Sequence, residues 1–213
     1  MNFKDAIRDT LPIFVSYFAL SFSFGILATK EGLNPYLTIL MSVIIYSGAL
    51  QFLLIGIYSK LSLIDIFITS FLFNFRQLFY SLTFLDRYKN QFYKIFTLTD
   101  ETFALLSKRK VNKDYEFYVS ILNHFYWIIG TILGVVFASY VEFKLKGLDF
   151  VLVSLFVVIL LENILKEKRV FPLFVGIFSY FLFYFLGVSN ILIFSIFLSF
   201  IIILLKSKRS KSD

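Results

Sequence analysis

Arg76 stands inside an apolar run covering residues 61–85, about nine residues from the run's end. At 1.5 Å per helical residue that is roughly 13 Å, too deep for easy snorkelling. A guanidinium near a bilayer centre costs at least roughly 2.5–3.5 kcal/mol on insertion scales, so something must offset it. Its polar neighbours fall at helical spacing: Ser70, Asn74, Gln77 and Ser81 form one stripe, and Thr69, Arg76, Tyr80 and Thr83 the next. The two stripes make one wide polar face on an otherwise apolar helix. Two readings are open. Arg76 glues helices together by pairing a buried carboxylate or capping carbonyls, or it lines a solute cavity and offers its planar fork to a substrate carboxylate.

Three more groups of residues bear on that choice. Tyr46-Ser47-Gly48-Ala49-Leu50-Gln51 lies in the middle of another apolar run, with Ser47 and Gln51 one helical turn apart. Small residues there allow close helix contact, or a break whose exposed N–H and C=O groups hold a carboxylate and an ammonium. Leu98-Thr99-Asp100-Glu101-Thr102-Phe103 starts with Thr99 at an N-cap and acids in the first turn, with Lys108 to Lys110 beyond. A capped surface helix accounts for this order. So does a carboxylate that enters the cavity to pair with Arg76 or to bind a proton or a substrate ammonium. His124, the single histidine, shares a stripe with Ser120, Trp127 and Thr131. It serves as a neutral hydrogen-bonding partner or, with Asp100 and Glu101, as a candidate for coupling proton movement.

The elements that must position these residues are read from hydropathy. Of 213 residues, 59% are hydrophobic and 16% charged, well away from the ~45–50% and ~25% of soluble domains. Mean hydropathy is +0.82. The chain is therefore an all-α polytopic membrane protein. Runs of the required ~20 residues give seven transmembrane helices, over 11–29, 36–59, 61–85, 115–141, 148–165, 171–187 and 190–205, with one or more broken at mid-membrane. A short amphipathic or re-entrant helix is expected near 95–106. Residues 1–205 read as a single transmembrane domain and 206–213 as a basic cytoplasmic tail. Counting each run as one crossing leaves five Lys and Arg on the N-terminal side and fifteen on the other. The positive-inside rule then predicts the N-terminus outside and the C-terminus in the cytoplasm. A faint echo of Gly32-Leu33-Asn34 in Gly147-Leu148-Asp149 points to an inverted repeat.

Composition also excludes. Zero cysteines and one histidine leave no basis for a metal site, and no cofactor is expected. The net charge of +7 sits in short tracts between apolar runs, which is a membrane topology signal rather than a nucleic-acid surface. No phosphate-binding glycine loop is present, and an embedded enzyme would need clustered catalytic groups that a lone His124 does not supply. Residue chemistry favours a transporter of small zwitterions over an enzyme or a non-transporting subunit. Arg76, Asn74, Tyr80, Gln51, Ser47, Gly48 and Tyr46 are the candidate substrate-binding residues.

Several of these segments together resemble the AzlC family. They are Leu11-Pro12-Ile13 and Phe22 to Gly25, Tyr46 to Phe52, Asn74-Phe75-Arg76-Gln77-Leu78-Phe79-Tyr80, Leu98 to Phe103, Trp127 with Gly130-Thr131 and Gly134, and Gly147 to Phe150. They occur in the family's order over residues 10–165. The resemblance implies the large subunit of a branched-chain amino acid exporter in the bacterial inner membrane. It also implies a small AzlD-type partner, and leucine, isoleucine, valine or methionine as substrate. Gln77 departs from the family's frequent histidine after the arginine.

Overall fold

The computed structural model describes residues 2–57, 62–84, 87–88, 91–107, 111–141, 150, 154, 157, 160–161, 164–165, 170–188 and 190–209. Among them the chain is helical: α1 (Phe3–Lys30), α2 (Pro35–Ile44), α3 (Gly48–Ile57), α4 (Leu63–Phe73), α5 (Phe75–Thr83), α6 (Phe92–Phe96), α7 (Asp100–Ser107), α8 (Lys113–Tyr140), α9 (Phe171–Phe185) and α10 (Ile191–Arg209). Local chemistry starts the long ones. Asn2 and Asp5 exchange side-chain and backbone hydrogen bonds in a capping box ahead of α1. Asn34 caps α2 with Pro35 behind it, and the Asn112 side chain accepts from the Tyr115 amide at the start of α8. Among the described residues only α1 and α8, each of 28 residues, are long and apolar enough to cross a membrane unaided.

The chain divides into two compact units, residues 1–59 with 74–152 and residues 60–73 with 153–213. In the second, α9 and α10 form a hairpin across Gly187, whose φ of +66° suits a helix C-terminus. The Ser195 hydroxyl donates to the Ser179 carbonyl (3.3 Å), and Asp65 of α4 accepts from Asn190 (3.1 Å) and Ser62 (2.8 Å).

The first unit is built on α1 packed along α8. The Tyr115 hydroxyl donates to Asp9 (2.8 Å), Thr10 meets Tyr126 (3.3 Å), and Lys30 Nζ donates to the Val141 carbonyl (2.9 Å). Rising numbers on one helix meet rising numbers on the other, so the two run parallel. Their seam is made of small residues. A Cβ added at Gly130 would overlap Ser21, one at Gly134 the Phe22 carbonyl, and one at Gly25 the Thr131 carbonyl. The small residues one turn apart on each helix thus face one another, and the backbones approach closely.

Residues 36–57, expected within one crossing, form two helices rather than one. α2 runs from the C-terminal end of α1 to Tyr46, and there the chain turns back. Phe52 of α3 meets Phe24 (centroids 5.7 Å apart), while Tyr46 meets His124 (4.5 Å). Tyr46 takes a φ of 42°, a left-handed conformation costly for a non-glycine residue, and this reverses the chain. A second hairpin enters from the other end. α6 rises from Lys94 beside Glu116 to Phe96 beside His124, and α7 returns from Thr102 beside Asn123 to Leu106. The expected short helix near 95–106 is therefore two helices bent at 97–99.

This removes the basis of the sidedness read from loop charge. Ala6 is buried with Phe84, Tyr88, Leu106 and Tyr115, so the N-terminus and the polar segment after α5 lie at the same end of the unit. The sequence count put them on opposite sides because it scored residues 36–59 as a full crossing. The inverted-repeat expectation falls on residues 147–149, which lie outside the described residues. The tail's last residues, 210–213, also lie outside the described residues.

The seam gives a direct test. Gly134→Ala should cost about 1–3 kcal/mol and lower the unfolding midpoint in detergent. Gly176→Ala, with open space at its Cβ, should leave that midpoint in place.

Candidate functional site

Both hairpin tips reach Tyr17, the fifteenth residue of α1 and so about 20 Å from either end of that helix. Its ring lies edge-on to Trp127 (5.4 Å) and to Tyr46 (6.4 Å). Its hydroxyl donates to Glu101 Oε2 (2.7 Å) and meets Thr99 Oγ1 (2.6 Å). Thr99 is the N-cap the sequence suggested: its Oγ1 accepts from the Thr102 amide (3.3 Å). Asp100 and Glu101 open α7 as its first-turn acids. The Thr102 hydroxyl accepts from the buried Asn123 amide (3.0 Å), tying the second tip to α8.

The first tip is fixed by a separate chain of bonds. Trp127 Nε1 donates to Gln51 Oε1 (2.8 Å), Gln51 Nε2 donates to Ser42 Oγ (2.9 Å), and Ser42 shares a bond with Thr131 (2.7 Å). Gln51 is fully buried and uses both ends of its amide inside this chain. Among the residues expected to touch substrate, it is engaged as a strut. Gly48 lies where a Cβ would strike the Trp127 ring, so its role is to seat the indole against the tip. Ser47 reaches beyond the hairpin and donates to Asn74 Oδ1 (2.7 Å), directly ahead of α5. Arg76 is helical in α5, and its side chain lies outside what is described. Tyr80, one turn further on, stacks on Phe103 of α7 (4.4 Å).

His124 joins the two tips. Nδ1 bonds with the Tyr93 hydroxyl (3.1 Å), and the ring contacts Tyr46 from one hairpin and Phe96 from the other. Tyr46, Tyr17 and Trp127 form a small buried aromatic cluster around this meeting point. The structure thus gathers Tyr46, Ser47, Gly48, Asn74, Glu101 and His124 around the two tips.

The family model described as "AzlC protein" matches residues 12–141, which run from the first turns of α1 through the whole of α8. The chain belongs to the AzlC family. It is 35% identical to the branched-chain amino acid transport protein AzlC of Bacillus subtilis, over 82% of this chain and 73% of that one. An uncharacterized membrane protein of Helicobacter pylori is 40% identical over 76% and 75% of the two chains. The inner membrane protein YgaZ of Escherichia coli is 28% identical over 62% and 60%. No solved structure matches. The match covers both hairpins and the α1/α8 seam of this AzlC protein.

One group in that region escaped the sequence reading. Glu116 is 1% exposed, pairs with the Arg87 guanidinium, and lies 3.2 Å from Lys94 Nζ. Lys94 also donates to the Lys113 carbonyl (2.8 Å) and sits over the Tyr88 ring (5.4 Å). Burial, with the Glu116 charge close by, pushes the Tyr88 phenol up from its ordinary value. In sequence Glu116 looks like a first-turn acid that complements a helix dipole, and nothing in its spacing distinguishes it from an exposed one. Here it anchors α6, and with it the second hairpin, to α8.

Removing one member of a buried ion group leaves the others uncompensated. Glu116→Ala should therefore cost about 3–5 kcal/mol. The loss should appear as a large fall in folded yield, with Arg8→Ala, at an exposed ion pair, close to wild type.

Proposed function

We propose that this chain is the large subunit of a secondary transporter that exports branched-chain amino acids across the bacterial inner membrane. The family relationship and the name of the Bacillus protein support the substrate class. The observation that carries the mechanism is the pair of hairpins whose tips meet at mid-length of α1. In lipid, non-helical backbone is tolerated only where it is buried or lines a cavity, and broken helix ends present N–H groups to anions. On this reading the first amides of α3 and the Arg76 guanidinium take the substrate carboxylate. Ser47, Asn74 and Tyr80 complete the polar wall, and the aromatic rings of the tips receive the branched side chain. Rocking of the tips about α1 and α8 gives alternating access. Proton or potential energy drives export, with Asp100 and His124 as coupling candidates, and a small AzlD-type membrane subunit completes the assembly.

The same geometry supports the N-terminus in the cytoplasm. Among the described residues, Lys4, Arg8, Arg87, Lys94 and Lys113 gather at the N-terminal end of the first unit, whereas Lys30 marks the opposite end. The positive-inside rule puts the richer end inside.

Two measurements test these readings. Cells loaded with an isoleucine-containing dipeptide should release free isoleucine only when this chain and its small partner are both present. Arg76→Ala should lower that rate at least about tenfold and Arg76→Lys less, because lysine keeps the charge without the fork. Undiminished efflux from Arg76→Ala would remove Arg76 from the site. For sidedness, the absence of native cysteine makes single-cysteine variants clean reporters. An impermeant maleimide should label Glu31→Cys in intact cells and spare Asn2→Cys, and the reverse pattern would put the N-terminus outside.

A further inference from the structure

We infer that Glu101, with the hydroxyls of Tyr17, Thr99 and Tyr46, forms a recognition site for an organic ammonium, the amino group of the transported amino acid. The inference rests on the transport reading and deepens it. The carboxylate is half fixed and half open. Oε2 accepts from the buried Tyr17 hydroxyl, and Glu101 as a residue is exposed, so the carboxylate keeps acceptor capacity beyond that one bond. Among the described side chains no Lys, Arg or His lies within ion-pair distance of it. The first-turn position on α7 and the Tyr17 donor are both complementary to a carboxylate. Held at mid-length of α1, such a charge is best neutralised by a cation brought by the ligand.

A second observation points to the same place. The Tyr46 hydroxyl is buried without a well-formed hydrogen bond, and Tyr17, Thr99 and Glu101 are its polar neighbours. The strained φ of 42° at Tyr46 brings it there. Its lone pairs and the remaining acceptor sites of the Glu101 carboxylate are complementary to the N–H donors of a primary ammonium, while Thr99 Oγ1 holds Tyr17 and the Thr102 amide in place. A metal ion is the poorer occupant, because no group of three His, Asp or Glu residues assembles among the described residues.

The test is equilibrium binding to the full chain in lipid nanodiscs. The probes are L-isoleucine, 2-methylbutylamine (which lacks its carboxylate), 3-methylpentanoate (which lacks its ammonium), and methylammonium. Glu101→Gln should weaken isoleucine and 2-methylbutylamine at least about tenfold and leave 3-methylpentanoate unchanged. Tyr17→Phe, which keeps the ring packing, should weaken the same two ligands by less. Because Glu101 is exposed, Glu101→Gln should remain folded, checked by helical circular dichroism and elution volume. Wild-type affinity for isoleucine in folded Glu101→Gln overturns the inference and leaves the transport reading standing. Glu101-dependent binding of both amines without binding of isoleucine supports the inference and overturns the substrate assignment. Equal weakening of all probes, or no amine binding by the folded wild-type chain, overturns the ammonium site.

Discussion

The close parallel contact of α1 with α8 is the constraint from which the first unit follows. Lipid offers no hydrophobic drive for two apolar helices to associate, so the contact depends on backbone approach and on polar side chains that find partners across it. Gly25, Gly130 and Gly134 permit the approach, with Ser21 and Phe22 seated against them. The hydrogen bonds from Tyr115 to Asp9 and from Lys30 to Val141 tie its two ends. Because the helices are parallel, the chain that leaves the C-terminal end of α1 must return to the other end before α8 begins. Each hairpin enters and leaves on its own side, so the return falls between α3 and α6.

The hairpins bring the candidate residues together within that frame. Each tip carries backbone that cannot hydrogen-bond within a helix, and each is held by side chains rather than by depth alone. Trp127, Gln51, Ser42 and Thr131 fix one, while Tyr17, Thr99, Thr102 and Asn123 fix the other. Buried polar chains of this kind specify geometry because an unpaired member is expensive in a low dielectric. The buried Glu116 group adds an electrostatic anchor at the base of the second hairpin. The tips are therefore tied to α1 and α8 by buried polar contacts, and the only strained non-glycine backbone among the described residues, at Tyr46, falls where the two meet.

How much of this was legible varied with the physics behind each feature. The break at Tyr46 to Gly48 and the cap at Thr99 were readable, since small residues and capping chemistry are local. The one-turn spacing of Ser21 and Gly25, and of Gly130 and Gly134, is a local pattern, but nothing local pairs the one with the other. Gln51 was hard to place because a buried amide in an apolar run looks the same whether it faces a solute or an indole N–H. Glu116 went unseen because its position fits a helix start equally well. The sidedness count lost its footing for a different reason: hydropathy reports how much apolar sequence there is, and a predominantly apolar run of that length can fold back as readily as it can cross.

By itself the sequence determined that this chain is helical, that its solvent is lipid, and where several helices begin and break. Those properties follow from composition, capping and glycine placement, which act within a few residues. The tertiary structure alone decided the direction of α8 relative to α1, the folding back of both hairpins, and which polar residues pair with one another between helices. Each of these depends on contacts between residues far apart in sequence, such as Tyr17 with Glu101 and Gln51 with Trp127. No local pattern encodes them, because the free energy that selects them arises only when the helices are packed.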